Sequence, residues 1–146
     1  MPASKTRTRP GRLRRWVLRA ALALIFVVNV QCALSFVLNP AAFADAYELT
    51  GAVGAAAVQG LGVTFLMWNA TYPPVIAHPE RHRTLFGVIV AQQAIGLVGE
   101  SLILTQLPAG HTVLAAGIVR FIGFDAFALV LMVAAGAFCY HSGRKT

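Results

Sequence analysis

Acidic residues are scarce in this chain: Asp and Glu together number 5 among 146 residues, and charged residues of both signs make up only 12%. Soluble globular domains carry about 25% charged residues, so an ordinary water-soluble enzyme or binding module is excluded. Cysteine is nearly absent as well. Cys32 and Cys139 lie in the first and last apolar stretches and match no paired spacing, which excludes a disulfide-stapled scaffold, a zinc motif and a CxxC redox site; structural burial is their expected role. There is no glycine-rich phosphate loop, no nucleophile beside a base and no pair of haem ligands. No cofactor and no metal site is expected.

What the chain has in abundance is hydrophobic sequence, 58% of residues, with a mean hydropathy of +0.70. This composition belongs to a protein whose solvent is the lipid bilayer. The net charge of +7 does not point to nucleic acid. Seven of the 12 basic residues (Lys5, Arg7, Arg9, Arg12, Arg14, Arg15 and Arg19) crowd into the first 19 positions, the usual form of a cytosolic membrane edge. No nucleic-acid module follows them. The same stretch imitates a signal peptide, but the apolar run of residues 16–38 exceeds the roughly 7–15 residues of a cleavable core and no small-x-small site closes it. A retained anchor is expected.

A transmembrane helix needs about 20 mostly apolar residues, and four such runs occur, at about 16–38, 51–69, 84–107 and 112–140. The expected organisation is an all-α, integral membrane four-helix bundle over 16–140, between a basic cytosolic tail (1–15) and a short cytosolic tail (141–146). Turn chemistry separates the runs: "LNPAAFADAYELTG", "YPPVIAHPERHR" and "PAGH". Lysines and arginines alternate by segment: seven before the first run, none in the next loop, Arg81 and Arg83 after the second run, none in "PAGH", and Arg144 and Lys145 at the end. This alternation predicts both termini in the cytosol, a multi-pass cell-membrane location, and an outward loop carrying Asp45, Tyr47 and Glu48. The sequon Asn69-Ala70-Thr71 then falls at the inner edge and is discounted.

Helices in lipid associate through small residues and buried polar groups. Gly51, Ala52, Ala55, Ala56, Gln59, Gly60 and Val63 recur at three- and four-residue spacing and predict a smooth helix-packing face on the second span. In the third span a carboxylate, Glu100, stands in "AIGLVGESLILTQL". A hairpin turning at Ala109-Gly110 places Glu100 and Arg120 about ten residues from the turn on either side, roughly 15 Å deep, and predicts an ion pair between them. A lone charge there costs about 2.5–3.5 kcal/mol. Asp125 is about 140° around the helix from Arg120, so the two are not expected to pair; the same hairpin count puts Gln92 and Gln93 at about the depth of Asp125, nearer the cytosol. Asn29, Gln31, Gln59 and Asn69 could extend this polar stripe. With one arginine and two acids the interior is neutral only if one acid holds a proton, and Asp125, without an obvious cation, is expected to hold it.

His78 and His82 have a spacing that could present two metal ligands, but Pro79 makes His78 the more natural start of a helix. Trp16, Tyr47, Trp68, Tyr72 and Tyr140 fall near expected interfaces, and Trp68, Tyr72 and His82 could meet a lipid or quinone headgroup. The N-terminal stretch, with Arg19 early in its helix, then Asn39-Pro40 and Phe43-Ala44, resembles the opening of the small four-helix membrane proteins of the DoxX-like and related uncharacterised families. The glycine-lysine element of that family is replaced here by Leu38-Asn39. The resemblance implies an accessory subunit of a redox or oxidase complex rather than an independent catalyst. Three functions follow in order of expectation: an accessory or assembly subunit working by association with other membrane proteins or itself; a proton-linked carrier or channel for a small solute using Glu100, Arg120 and Asp125; and an enzyme acting on a lipid or quinone.

Overall fold

The computed structural model describes residues 9–140. Lys5 and Arg7 of the N-terminal tail, and Arg144 and Lys145 of the C-terminal tail, lie outside the described residues. The described chain is helical throughout: α1 (Arg9–Leu38), α2 (Ala41–Ala44), a 3₁₀ turn (Asp45–Tyr47), α3 (Gly51–Asn69), α4 (Tyr72–Ala77), α5 (Arg83–Gln106) and α6 (Thr112–Tyr140). Four segments are long and apolar enough to cross a membrane: Gly11–Leu38, Gly51–Ala77, Arg83–Gln106 and Thr112–Tyr140. These characters suggest a multi-pass membrane protein.

Two local expectations are corrected. "YPPVIA" is the helix α4 and not a break, because Pro73 and Pro74 stand in its first turn, where a missing N–H leaves nothing unpaired. His78 does not start a helix but closes α4, its backbone N–H donating to the Pro74 carbonyl at 3.0 Å. The next helix begins at Arg83, with the His82 carbonyl accepting from the Phe86 N–H at 2.9 Å.

α1 packs along both α3 and α6, and α6 along α5, while α4 carries the principal contact from the second span to α5. The four long segments thus form a ring in which α3 and α5 share no extended seam. One core joins Leu18, Leu22, Ile25, Tyr72, Ile89 and Met132. A second, towards the loop that follows α1, gathers Phe36, Ala44 and Val58 with Tyr47, Phe65 and Phe121 around them. That loop does not float free. α2 and the 3₁₀ turn pack down against α3 and α6 over the end of α1, where the Ala46 carbonyl faces Gly117 of α6.

Helix packing differs from the expectation on α3. The buried residues are Gly54, Val58, Gly62 and Asn69, whereas Gly51, Ala52, Ala56 and Gly60 are exposed and Ala55 is half-buried. Gly62 makes the close approach: a Cβ there would stand 2.7 Å from the Ala33 carbonyl oxygen and 2.9 Å from Phe36 Cβ, while one on Gly60 would meet nothing within 4 Å. Within the single chain the face that meets α1 is therefore Gly54, Val58 and Gly62, because small residues stand all round this helix and α1 selects among them. Gly51 serves instead to start α3, at φ +66°, a conformation that favours glycine.

The contacts also align the helices. Gly62 is level with residues 33–37 of α1, Phe36 with Phe121 (ring centroids 6.5 Å apart), and Gly96 with Asp125. α6 is centred on Ala126, so Asp125 and Gly96 sit at mid-height, and Arg120 lies about 9 Å nearer the α5–α6 turn at 1.5 Å per residue.

Candidate functional site

The site is built on one face of α5. Gln93, Gly96 and Glu100 are spaced by three and four residues and so line up along the helix. Opposite them, α6 presents Asp125. Gln93 Nε2 donates to Asp125 Oδ1 at 2.6 Å, and a Cβ on Gly96 would stand 2.7 Å from Asp125 Oδ2. The carboxylate tip therefore lies in a notch over Gly96, in space that a side chain at residue 96 would make it give up. Gln93 is buried, and Asp125 and Glu100 are half-buried. Glu100 lies one turn beyond the notch, within electrostatic reach of Asp125, and its Oε2 is buried without a hydrogen-bond partner.

Two tyrosines complete the interior. Tyr72 stands within electrostatic reach of Asp125, its hydroxyl 3.9 Å from the Met132 sulfur. Tyr47 reaches in from the 3₁₀ turn towards Glu100. Its hydroxyl is pushed up to about 12 by burial first and then by Cys32 and Glu100, with Arg120 opposing. Around it Phe36 has its ring centroid 5.9 Å from Tyr47 and 6.1 Å from Phe65. The acids are thus walled by rings and amides.

Glu100 and Arg120 form no ion pair: among the described residues Glu48 pairs with His111 and neither interior acid is bridged to an arginine. Arg120 is exposed on the outer side of α6. Hairpin counting correctly makes Glu100 and Arg120 level, yet level is only half of a contact. α6 turns Phe121 and Asp125 inward, four residues apart, and Arg120 at 100° from Phe121 is carried out of the bundle. The interior holds two carboxyls and no paired cation.

The other sequence candidates are dispersed. Gln92 Oε1 accepts from Thr71 Oγ1 at 3.4 Å, spanning α5 and the α3–α4 junction, and Gln59 Nε2 donates to the Val37 carbonyl at 3.1 Å, tying α3 to α1. Asn69 Nδ2 donates to the Phe65 carbonyl at 2.8 Å. Asn29 is half-buried. Trp68 is exposed, with its ring 5.8 Å from Phe65, but Tyr72 is buried, so Trp68, Tyr72 and His82 do not share one interfacial surface. Among the described residues no group of three or more His, Cys, Asp or Glu side chains is arranged to hold a metal ion.

Sequence reasoning missed Tyr47 and Gly96 as site residues. Gly96 was legible in principle, as the glycine between Gln93 and Glu100 on their own face. Glu48 was also missed. Its backbone is left-handed, at φ 55°, and this aims its carboxylate at the start of α6. There Oε1 accepts from the Leu114 N–H at 3.1 Å and Oε2 meets His111 Nδ1 at 2.5 Å. The His111 hydrogen bond, and after it the Leu114 N–H, hold the Glu48 carboxyl below its ordinary value of 4.5. A carboxyl depressed by folding stabilises the fold above its unfolded pKa, and this contribution is lost as pH falls through the folded value. The protection of residues 39–50 against hydrogen exchange, taken relative to the intrinsic rate at each pH, should therefore fall below about pH 4.5 in the native protein. Glu48→Gln should exchange faster already at neutral pH and respond little to acid.

No known protein family, curated protein or solved structure matches the chain. The DoxX-like resemblance accordingly stands on Arg19, Asn39-Pro40 and Phe43-Ala44 only. Arg19 donates through Nη2 to the Ala77 carbonyl at the end of α4, which gives it a local role in docking that short helix on α1.

Proposed function

We propose that the chain is a multi-pass cell-membrane protein with both termini in the cytosol, and that its interior acid pair binds and releases protons to move a small solute. The single observation that carries this reading is the Gln93–Asp125 hydrogen bond over Gly96 with Glu100 unpaired one turn away. A charge in the bilayer must be paired, hydrated or neutralised. With Arg120 turned outward, neutrality inside the bundle depends on protons or on a cationic solute. Orientation is supported by the alternation of lysine and arginine between loops.

Purified protein in liposomes loaded with a pH-sensitive dye tests it. Native protein and Arg120→Gln should take up protons, while Glu100→Gln and Asp125→Asn should fall to the level of empty liposomes with their assembly intact. Uptake unaffected by either acid substitution, or abolished equally by Arg120→Gln, would sink the carrier reading.

A second reading, an accessory subunit that works by association, is favoured by a different residue. Gln31 stands at mid-height on the outward face of α1, exposed, with no side-chain hydrogen bond among the described residues. It lines a shallow groove of about 620 Å³ with Val27, Leu34, Leu38 and Phe43. An amide facing hydrocarbon gains by pairing with another helix, and conversion of a detergent-stable assembly to monomer by Gln31→Leu would support this alternative.

A further inference from the structure

A polar row runs along the outward side of α1. Gln31, Ser35 and Asn39 follow at four-residue spacing and so share one flank of the helix. The Ser35 hydroxyl donates back to the Gln31 carbonyl at 2.9 Å, which leaves its oxygen able to accept. The Gln31 side-chain amide has no hydrogen-bond partner among the described residues. Leu24, Val27 and Leu34 around it are exposed, so Gln31 stands in the middle of the outward face. Its depth follows from the aromatic cluster. Phe36 is level with Phe121, one turn of α6 from Asp125, and the same rise along α1 leads to Gln31 and Cys32 at mid-height. An amide in hydrocarbon has given up water and gained no bond in return. The surface beside it has the form that receives a helix. Residues lining the groove of about 620 Å³ fall into two rows of four-residue spacing, one from Phe26 to Leu38 and one from Val27 to Asn39, with Phe43 of α2 at the end. Rows of this spacing are the ridges by which helices interlock, and two such surfaces pack together at about −50°.

We propose that a second copy of this chain docks here, α1 against α1 about a two-fold axis along the membrane normal, with the two Gln31 amides hydrogen-bonded to each other. Hydrogen-bond complementarity selects the occupant. An acyl chain offers Gln31 neither donor nor acceptor, and a foreign helix satisfies it only by carrying a polar group at the same depth. A second copy always carries one. Each amide has N–H groups to give and an oxygen that accepts, and a two-fold axis sets like residues opposite one another at one height. Ser35, a turn away, adds an acceptor to the same seam. Because the axis follows the membrane normal, both copies keep one orientation, as a single insertion topology demands. This proposal rests on the association reading of Gln31, names its partner, and is independent of proton transport.

The test is oxidative cross-linking of the full-length protein, in cell membranes and in liposomes, with Cys32→Ala and Cys139→Ala as the background. Leu34→Cys, on the groove beside Gln31, should give a product of twice the chain mass. Ile95→Cys is the control for chance collision: it is exposed on α5 next to Gly96, at the same depth, and should give little. Adding Gln31→Leu to Leu34→Cys should lower the dimer yield about tenfold when the liposomes are diluted with lipid. The substitution faces outward, so the chain should still elute as folded protein. Equal cross-linking at residues 34 and 95, an unchanged yield with Gln31→Leu, or a ladder of products beyond the dimer would overturn the two-fold pairing. A product of another mass, seen in cell membranes only, would overturn the second copy and leave the association reading standing. No product in either setting would remove both.

Discussion

Gly62→Leu is expected to abolish the pairing of α1 with α3 and leave no monodisperse folded protein in detergent, while Gly60→Leu is expected to elute and melt as the native chain does. The atoms in the way at residue 62 are the Ala33 carbonyl oxygen at 2.7 Å, Val37 Cγ2 at 2.8 Å and Phe36 Cβ at 2.9 Å from a Cβ that is not there. Two of these belong to, or lie next to, the α1 backbone and cannot swing aside as a side-chain tip could. Overpacking costs about 1–3 kcal/mol where neighbours can yield, and the upper end or beyond applies when a helix backbone must retreat. The damage would spread, since Phe36 anchors the aromatic cluster around Tyr47, Phe65 and Phe121. Size-exclusion chromatography and a thermal melt of the two variants side by side decide the matter. A native-like Gly62→Leu would mean that α1 and α3 are not held as described.

The second large effect is expected at Gly96. Replacing it with alanine puts a methyl 2.7 Å from Asp125 Oδ2, and an aspartate side chain is too short to move away and still meet Gln93. The hydrogen bond at 2.6 Å should break, at a cost of about 1.5–3 kcal/mol for a bond to a charged group. Proton uptake should fall as far as it does in Asp125→Asn. Gly99→Ala is the matched control, because a Cβ there meets nothing within 4 Å; it should keep full uptake and, by helix propensity, gain up to about 1 kcal/mol. If both alanines behave alike, the notch does not position Asp125.

The helical class and the spans were readable because length and hydropathy are additive properties of a segment, and both ends of α3 and the start of α6 lie where the sequence puts them. Azimuth is not additive. The rotation of each long helix about its axis depends on which neighbour it meets, and hydrophobic patterning in lipid says little about that, since outward and inward faces are both apolar. The expected Glu100–Arg120 pair failed for this reason, and for the same reason the spacing on α3 did not single out Gly62 as the close approach to α1. Hairpin counting put Gln92 and Gln93 at about the depth of Asp125, but only the rotation of α5 decides that Gln93 is the one that meets it. Tyr47 was out of reach for a different reason. A loop twelve residues long can lie above a bundle or fold into it, and its composition does not distinguish the two.

The packing of α2 and the 3₁₀ turn over the end of α1 also bears on access. One mouth of the bundle is stoppered by its own connecting loop, while the flank between α3 and α5 has no continuous seam. A solute that reached Glu100 by that flank would come sideways, out of the hydrocarbon, sorted by its oil–water partition before any side chain touched it.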